Sequence, residues 1–350
     1  MSMEDLMKAC VALGGSDIHV SPGRPPCVRV RGAVKDLEGP AITPAVAETL
    51  VHEVLPERLK KELDELGTAD FAHNFGEVAR FRVSVFRQKG VYACVLRLIP
   101  SRLRSFEEIG LPEKVRELIT RPRGLVLVTG PTGSGKTTSL ATMIDEINRT
   151  SPVHIVTIED PIEYLHPHKK AVVNQREIGT DCPTFAEAMR RVLRQDPDII
   201  LLGEMRDLET ISTAITAAET GHLVFGTLHT TGSARTIDRI IDAFPKEQQD
   251  QIRTQLALSI VGVLSQVLVP RADGQGMAAG FELMVNTPAI ENYIRKGETF
   301  KIPSDIQTGK KHGMVLLDDH LLASARAGKI TRETAIEYAQ DRNEMQMRLG

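Results

Sequence analysis

The 350-residue chain contains no Trp, and only four Tyr and ten Phe, so it offers few rings on which nucleobases could stack. It also lacks a dominant charge. Its 43 Lys and Arg stand against 46 Asp and Glu, and the formal charge of −3 gives no general attraction to nucleic acid or anionic lipid. No nucleic-acid partner is expected. Cysteine is scarce: Cys10, Cys27, Cys94 and Cys182 lie far apart with no Cys-x-x-Cys pair, which excludes the usual zinc-ribbon and dithiol patterns. The acidic start, residues 1–5, does not read as a secretory signal, so the four are expected to be reduced thiols in a cytoplasmic protein. Long hydrophobic runs are missing as well. The longest in the second half, residues 257–269, is interrupted by Ser259, Ser265 and Gln266; it is too short and polar to span a bilayer and is expected to be a buried helix.

What is present is an ordinary globular composition, 41% hydrophobic and 25% charged, over a length that suggests two domains. Residues 1–99 mix a short helix over 3–13 and helical spacing over 44–66 with strand-like runs at 17–20, 27–30, 80–86 and 92–99. An α+β domain with a largely antiparallel sheet is expected there. Residues 100–122 read as an arginine-rich, solvated linker with a short helix at about 112–119. From Gly124 the rhythm turns to alternating apolar strands and helices, the mark of a parallel sheet covered on both faces. Beyond about residue 270 the pattern is helical and loop-rich.

The strongest motif is Gly130, Pro131, Thr132, Gly133, Ser134, Gly135, Lys136 and Thr137, a complete G-x-x-x-x-G-K-T followed by Thr138. A chance match in a chain of this length has a probability on the order of 1%, and here the motif also has the required strand before it and helix after it. Its glycines let the backbone curl so that successive N–H groups face phosphate oxygens, and the helix N-terminus adds positive potential. Lys136 is expected to reach the β- and γ-phosphates of ATP, and the Thr137 hydroxyl to ligate Mg²⁺.

Other residues gather where ligands bind in a parallel sheet, past the strand ends. Glu204 closes the apolar run Ile199-Ile-Leu-Leu-Gly203 and is the candidate magnesium-side carboxylate, acting through water. The cluster Ile158-Glu159-Asp160-Pro161-Ile162-Glu163 supplies a candidate water-activating base; on residue type alone, Glu159 and Glu163 are both eligible. His229 ends the next strand and is a candidate sensor of the γ-phosphate, whereas His222, after Gly221, is equally a helix cap. His166-Pro-His168 matches no metal spacing and reads as a surface loop.

Together these segments resemble the secretion-superfamily ATPases, the motors of type IV pili and type II secretion. The likeness rests on the P-loop, the acidic box at 158–163, Arg194-Gln-Asp-Pro-Asp with Gly203-Glu204-Met-Arg206-Asp207, and the histidine box Gly221-His-Leu-Val-Phe-Gly-Thr-Leu-His229. Within that group the chain is similar to the pilus retraction (PilT) family of twitching motility, through Gly15-Ser-Asp-Ile-His19, Ala69-Asp-Phe-Ala-His73, Arg80-Phe-Arg82, Ile302-Pro-Ser-Asp-Ile-Gln-Thr-Gly309 and His312-Gly-Met314. The resemblance implies an α/β architecture: a PAS-like N-terminal domain over 1–99, a linker over 100–122, a RecA-like ATPase core over 123–270 and a helical C-terminal region over 271–350. It implies Glu163 as catalytic base and Glu204 as the Walker B residue. It further implies a site completed by arginines of a neighbouring subunit, for which Arg82 and Arg97 are the candidates ahead of Arg80. The implied assembly is a homo-hexamer at the inner-membrane base of the pilus, with a platform protein and an accessory retraction ATPase as the implied partners.

The chain has no four-cysteine module such as assembly and secretion ATPases carry, which points to retraction. The family's Ala-Ile-Arg-Asn-Leu-Ile-Arg-Glu signature is here Ala289-Ile-Glu-Asn-Tyr-Ile-Arg-Lys296, with apolar spacing kept and two charges altered. The competing readings are a related assembly or secretion ATPase, an ATP-binding regulator with little turnover, and a RecA-like translocase on nucleic acid.

Overall fold

Apolar–polar alternation over residues 79–99 folds as a long antiparallel hairpin, β5 (Ala79–Gln88) on β6 (Val91–Ile99). Lys89 and Gly90 both take positive φ, the tight turn that matches strand twist. The computed structural model describes residues 1–30, 32–76, 78–99 and 102–350. Residues 100 and 101, where the sequence places the start of the linker, lie outside the described residues. The described chain divides into two units, Met1–Arg102 with Pro161–Leu165, and Leu103–Asp160 with His166–Gly350.

In the first unit the hairpin joins β4 (Thr68–Phe75), β1 (Asp17–Val20), β2 (Cys27–Val30) and β3 (Ala33–Asp36) in the order β3-β2-β1-β6-β5-β4, every pairing antiparallel. The edge strands β3, four residues long and exposed throughout, and β4, eight residues long with charged and polar residues among its apolar ones, carry too little apolar signal to stand out in the sequence. One sheet face carries Phe81, Val83, Val85 and Leu96, which pack with Leu6 of α1 (Met3–Ala12), Leu50 and Val51 of α2 (Pro44–Val54) and Leu63 of α3 (Lys60–Leu66). The other face is mixed, with Arg80, Arg82, Ser84 and Arg97 beside Phe86, Ala93, Val95 and Ile99. There Arg82 stands directly opposite Arg97, and Arg97 opposite Asp17.

The four thiols are buried, and desolvation pushes Cys94 up to about 12 and Cys10 and Cys27 each up to about 11. Because the thiolate is the nucleophile, iodoacetamide at neutral pH is expected to leave all four unmodified in the folded protein and to label all four in denaturant, as read by mass spectrometry.

The second unit begins with α4 (Phe106–Ile109) and α5 (Val115–Leu118), shorter than the helix expected at 112–119. Phe106, Leu111, Val115 and Leu118 belong to the main core, and Arg116 bridges Glu107, Glu113 and Glu146. The arginine-rich stretch is therefore packed structure from residue 103 onward. A seven-stranded sheet follows, built from β7 (Gly124–Thr129), β8 (His154–Glu159), β9 (Val172–Glu177), β10 (Ile199–Leu202), β11 (Leu223–Leu228), β12 (Ile260–Pro270) and β13 (Met277–Val285), in the order β13-β12-β7-β11-β10-β8-β9. All neighbours are parallel except β12 and β13. The connecting helices are α6 (Lys136–Thr150), α7 (Phe185–Val192), α8 (Leu208–Thr220), α9 (Ser233–Asp242) and α10 (Lys246–Ser259). β7, β10 and β11 are buried along their whole length, as unbroken apolar runs in a covered parallel sheet should be.

Two expectations are corrected. Residues 257–269 are not one buried helix: α10 ends at Ser259 and the rest is strand β12. Ile260, Val261, Val263, Val267 and Val269 are β-branched, Gly262 weakens a helix, and β7 and β13 supply pairing partners on both sides. Likewise, β13 lies within the C-terminal stretch read as helical. The remainder of that stretch is α11 (Pro288–Lys296), α12 (Ile302–Thr308), α13 (Leu317–Arg326), α14 (Arg332–Tyr338) and α15 (Arg342–Leu349). Among the described residues no helix is long and apolar enough to cross a membrane.

Candidate active site

β7 delivers the chain to Gly130, and α6 receives it at Lys136. Gly130, Gly133 and Gly135 all take φ values in the left-handed region, at 143°, 78° and 87°. Glycine is required at two of them by contact as well as by conformation. A Cβ on Gly130 would lie 2.1 Å from the Gln266 carbonyl oxygen, and one on Gly135 would lie 2.7 Å from Gln266 Nε2. Lys136 folds its ammonium onto the loop, donating to the carbonyls of Gly130 at 2.7 Å and Pro131 at 3.0 Å. Ser134 Oγ is buried and has no hydrogen-bond partner among the described residues, so the loop holds one unspent polar group. Pro131, Thr132 and Gly133 are exposed, and Thr137 and Thr138 half-buried at the start of α6.

Glu204 follows β10. Thr227 Oγ1 donates to the Gly203 carbonyl and Met205 N–H donates to the Thr227 carbonyl at 3.0 Å, which ties the turn across the end of β11. Asp207 then caps α8 by accepting from Thr210 N–H at 2.8 Å. Glu204 Oε1 lies 2.6 Å from Arg206 Nε and 3.1 Å from His229 Nε2. Burial opposes its charge, but the Arg206 hydrogen bond and the neighbouring Arg206, His229 and Lys136 charges hold its pKa below the usual carboxylate value. The same contact raises the Arg206 pKa. His229 Nδ1 is 3.5 Å from Thr132 Oγ1, so one imidazole touches both the P-loop and the carboxylate after β10. The structure thus brings Thr132, Lys136, Glu204 and His229 together, and adds Arg206, which sequence reasoning passed over as part of a motif string.

The two eligible bases differ in setting. Glu159 is buried at the end of β8, accepting from Thr157 Oγ1 at 2.6 Å and from Gln175 Nε2 at 3.1 Å. Those bonds occupy one of its oxygens in holding β8 to β9. Glu163 is half-buried between the buried Ile162 and Tyr164.

Arg82 and Arg97 are both exposed, on the same face of the first unit's sheet. Arg97 Nε pairs with Asp17 at 2.8 Å, and Arg29 approaches the same carboxylate at 3.7 Å. Arg80 is half-buried on β5 and donates to Asn74 Oδ1 at 3.2 Å.

His222 acts as a cap: its backbone N–H and Nδ1 meet the Ala217 carbonyl at 3.1 and 3.0 Å. His168 Nδ1 accepts from Val173 N–H at 3.0 Å, and burial pushes His166 down to about 4. Both belong to the loop leading into β9.

The family described as type II/IV secretion system protein matches residues 3–314. The type IV pilus retractation ATPase PilT of Pseudomonas aeruginosa is 47% identical over 340 residues, 97% of this chain and 98% of that protein. A twitching motility protein of Neisseria gonorrhoeae is 45% identical over 320 residues, 91% of this chain and 86% of its own. The type IV pilus ATPase PilU of P. aeruginosa is 38% identical over 347 residues, covering 99% and 91%. Among solved structures, the pilus retraction motor PilT with bound ADP superposes with a TM-score of 0.93 at 45% identity, covering 99% of each chain.

Proposed function

Because this chain belongs to the type II/IV secretion system protein family and is one of its ATPases, we propose that it is the hexameric motor that retracts a type IV pilus. The observation that carries the reading is 47% identity along 97% of the chain to a retraction ATPase of nearly the same length.

In this mechanism the loop N–H groups and Lys136 hold the β- and γ-phosphates and neutralise the charge that develops on transfer. Magnesium fits the donors present: a threonine hydroxyl at the head of α6 and the Glu204 carboxylate are hard oxygen ligands, and the buried hydroxyl of Ser134 in the same loop has no hydrogen-bond partner among the described residues. When bound, the ion supplies Lewis-acid stabilisation of the phosphoryl oxygens. Glu204 would serve it through water. Glu163 takes the proton from the attacking water. Its role is favoured over that of Glu159 by the hydrogen bonds that already engage Glu159.

His229 reports the state of the site, because a shift of the γ-phosphate changes what the imidazole can hold at Thr132 and Glu204. Arg82 and Arg97 act on a neighbouring subunit's nucleotide. Arg82 and Arg97 stand opposite each other across β5 and β6 and are both exposed; Asp17 already pairs with Arg97, so Arg82 is the one with charge to offer an anion from outside the unit. Hydrolysis then drives domain rotation within a ring of six, turning a platform protein at the inner-membrane base of the pilus, with an accessory retraction ATPase as a further partner. The ring works from the cytoplasmic side.

The test is complementation of a strain unable to retract its pili. Restored twitching by the wild-type chain, and none by Lys136→Ala, is expected. A folded, ATPase-active protein that restores no motility refutes retraction and leaves the ATPase chemistry standing; an assembly or secretion role is then the better reading.

A further inference from the structure

Gln266 is a polar residue in the middle of strand β12, buried to 3% exposure beneath the phosphate loop. Its amide makes two bonds, one to that loop and one to the first turn of the helix that follows it. Nε2 donates to the Ser134 carbonyl at 2.6 Å, and Oε1 accepts from Ser139 Oγ at 2.7 Å. The orientation of the amide is fixed by these partners, since a flipped amide would set its oxygen against the Ser134 carbonyl oxygen. The strand backbone adds a third contact, because the Gln266 carbonyl occupies the space that a Cβ on Gly130 would need.

We propose that Gln266 is a positioning residue for nucleotide binding, which sets the direction of the loop N–H groups from behind. The reasoning is geometric. The Ser134 carbonyl and the Gly135 N–H belong to one planar trans peptide, so they point in opposite directions. Anchoring the carbonyl on Gln266 turns the Gly135 N–H away from β12, towards the open side of the loop. The Ser139 hydroxyl pins the first turn of α6 to the same amide, so the loop's last peptide and the helix that follows are held at a fixed spacing. Glutamine suits this position because one short side chain carries both a donor and an acceptor. A glutamate has the same shape but no donor, and it would face the Ser134 carbonyl with like polarity.

The inference rests on reading residues 130–137 as the nucleotide site, and the experiment separates the two. ADP affinity is measured by titration with a fluorescent analogue, alongside steady-state ATP hydrolysis and melting temperature. Lys136→Ala is expected to abolish binding; normal binding by that variant would refute the site itself. Gln266→Met and Gln266→Glu are each expected to raise the ADP Kd and the ATP KM by about tenfold or more, with kcat at saturation within about threefold. Ser139→Ala is expected to cost about threefold in Kd alone and nothing further in the Gln266→Met background, because both remove the same bond.

Val263→Ala, a core truncation on the same strand, is expected to lower the melting temperature without changing Kd. Kd values within about twofold of wild type in the Gln266→Met and Ser139→Ala proteins would overturn the proposal. An equal rise in Kd for Val263→Ala would overturn it too, by reducing Gln266 to general support of the strand. If Gln266→Glu does not fold, the methionine and Ser139 variants decide alone.

Discussion

Glu163→Gln is expected to lower the ATP turnover number by about 100- to 10,000-fold while leaving nucleotide affinity within a few fold of wild type. The substitution keeps the shape of the side chain and removes only its ability to take a proton, so the loss falls on the chemical step. The comparison that gives the experiment its force is Glu159→Gln. Glu159 is buried and accepts from Thr157 and Gln175, and its replacement is expected to cost folding stability more than rate. Phosphate release, nucleotide titration and thermal melting on the two variants check the assignment. Wild-type turnover in Glu163→Gln, or a selective loss of kcat in Glu159→Gln instead, would move the base to the other carboxylate.

Arg82→Ala is expected to lower turnover by about 1,000-fold, the scale on which a charge supplied from a neighbour acts at a transferring phosphoryl group. The diagnostic step is mixing. A protein with Arg82→Ala and one with Glu163→Gln should each be inactive alone, yet regain part of the rate when mixed. Some interfaces of a mixed ring then join an intact Glu163 to an intact Arg82 from next door. No recovery, in subunits shown to exchange, would place the arginine outside the neighbouring site.

Arg97 is expected to behave less cleanly. It pairs with Asp17, a carboxylate only 5% exposed, whose pKa is held below the ordinary value by the Arg97 and Ser16 hydrogen bonds against the opposing effect of burial. Arg97→Ala therefore perturbs the sheet as well as any neighbour. The exposure of the guanidinium keeps the stability loss modest through solvent screening.

The parts of this protein that were legible in its sequence are those where one residue type has one physical use. A glycine at positive φ beside a lysine and a threonine, between a strand and a helix, has few alternatives, and the P-loop strand and helix lie where the motif requires. Glu204 and His229 were recognisable because each ends an apolar run, and strand ends in a parallel sheet face the same side. What was hidden depended on partners distant in sequence. Residues 260–269 carry enough hydrophobicity for a buried helix or a buried strand, and only pairing with β7 and β13 decides between them. β3, β4 and β9 gain their strand character from neighbours in the same way. Gln266 was visible merely as a polar interruption of an apolar run; its bonds to Ser134 and Ser139 span more than 120 positions. The Arg82–Arg97 juxtaposition is likewise a matter of register, which no spacing along one strand reveals.

The strand order has a consequence for how the molecule is made. β7, which carries the phosphate loop, is flanked by β11 and β12, so its two neighbours in the sheet are synthesised roughly a hundred or more residues after it. Contacts of such long sequence separation close slowly, because the loop entropy must be overcome before they form. A nascent chain that has emerged only as far as α10 presents β7 with one bare edge and a phosphate loop without its backing strand. If Gln266 positions the loop, the phosphate loop is expected to reach its full affinity for nucleotide only after β12 has docked.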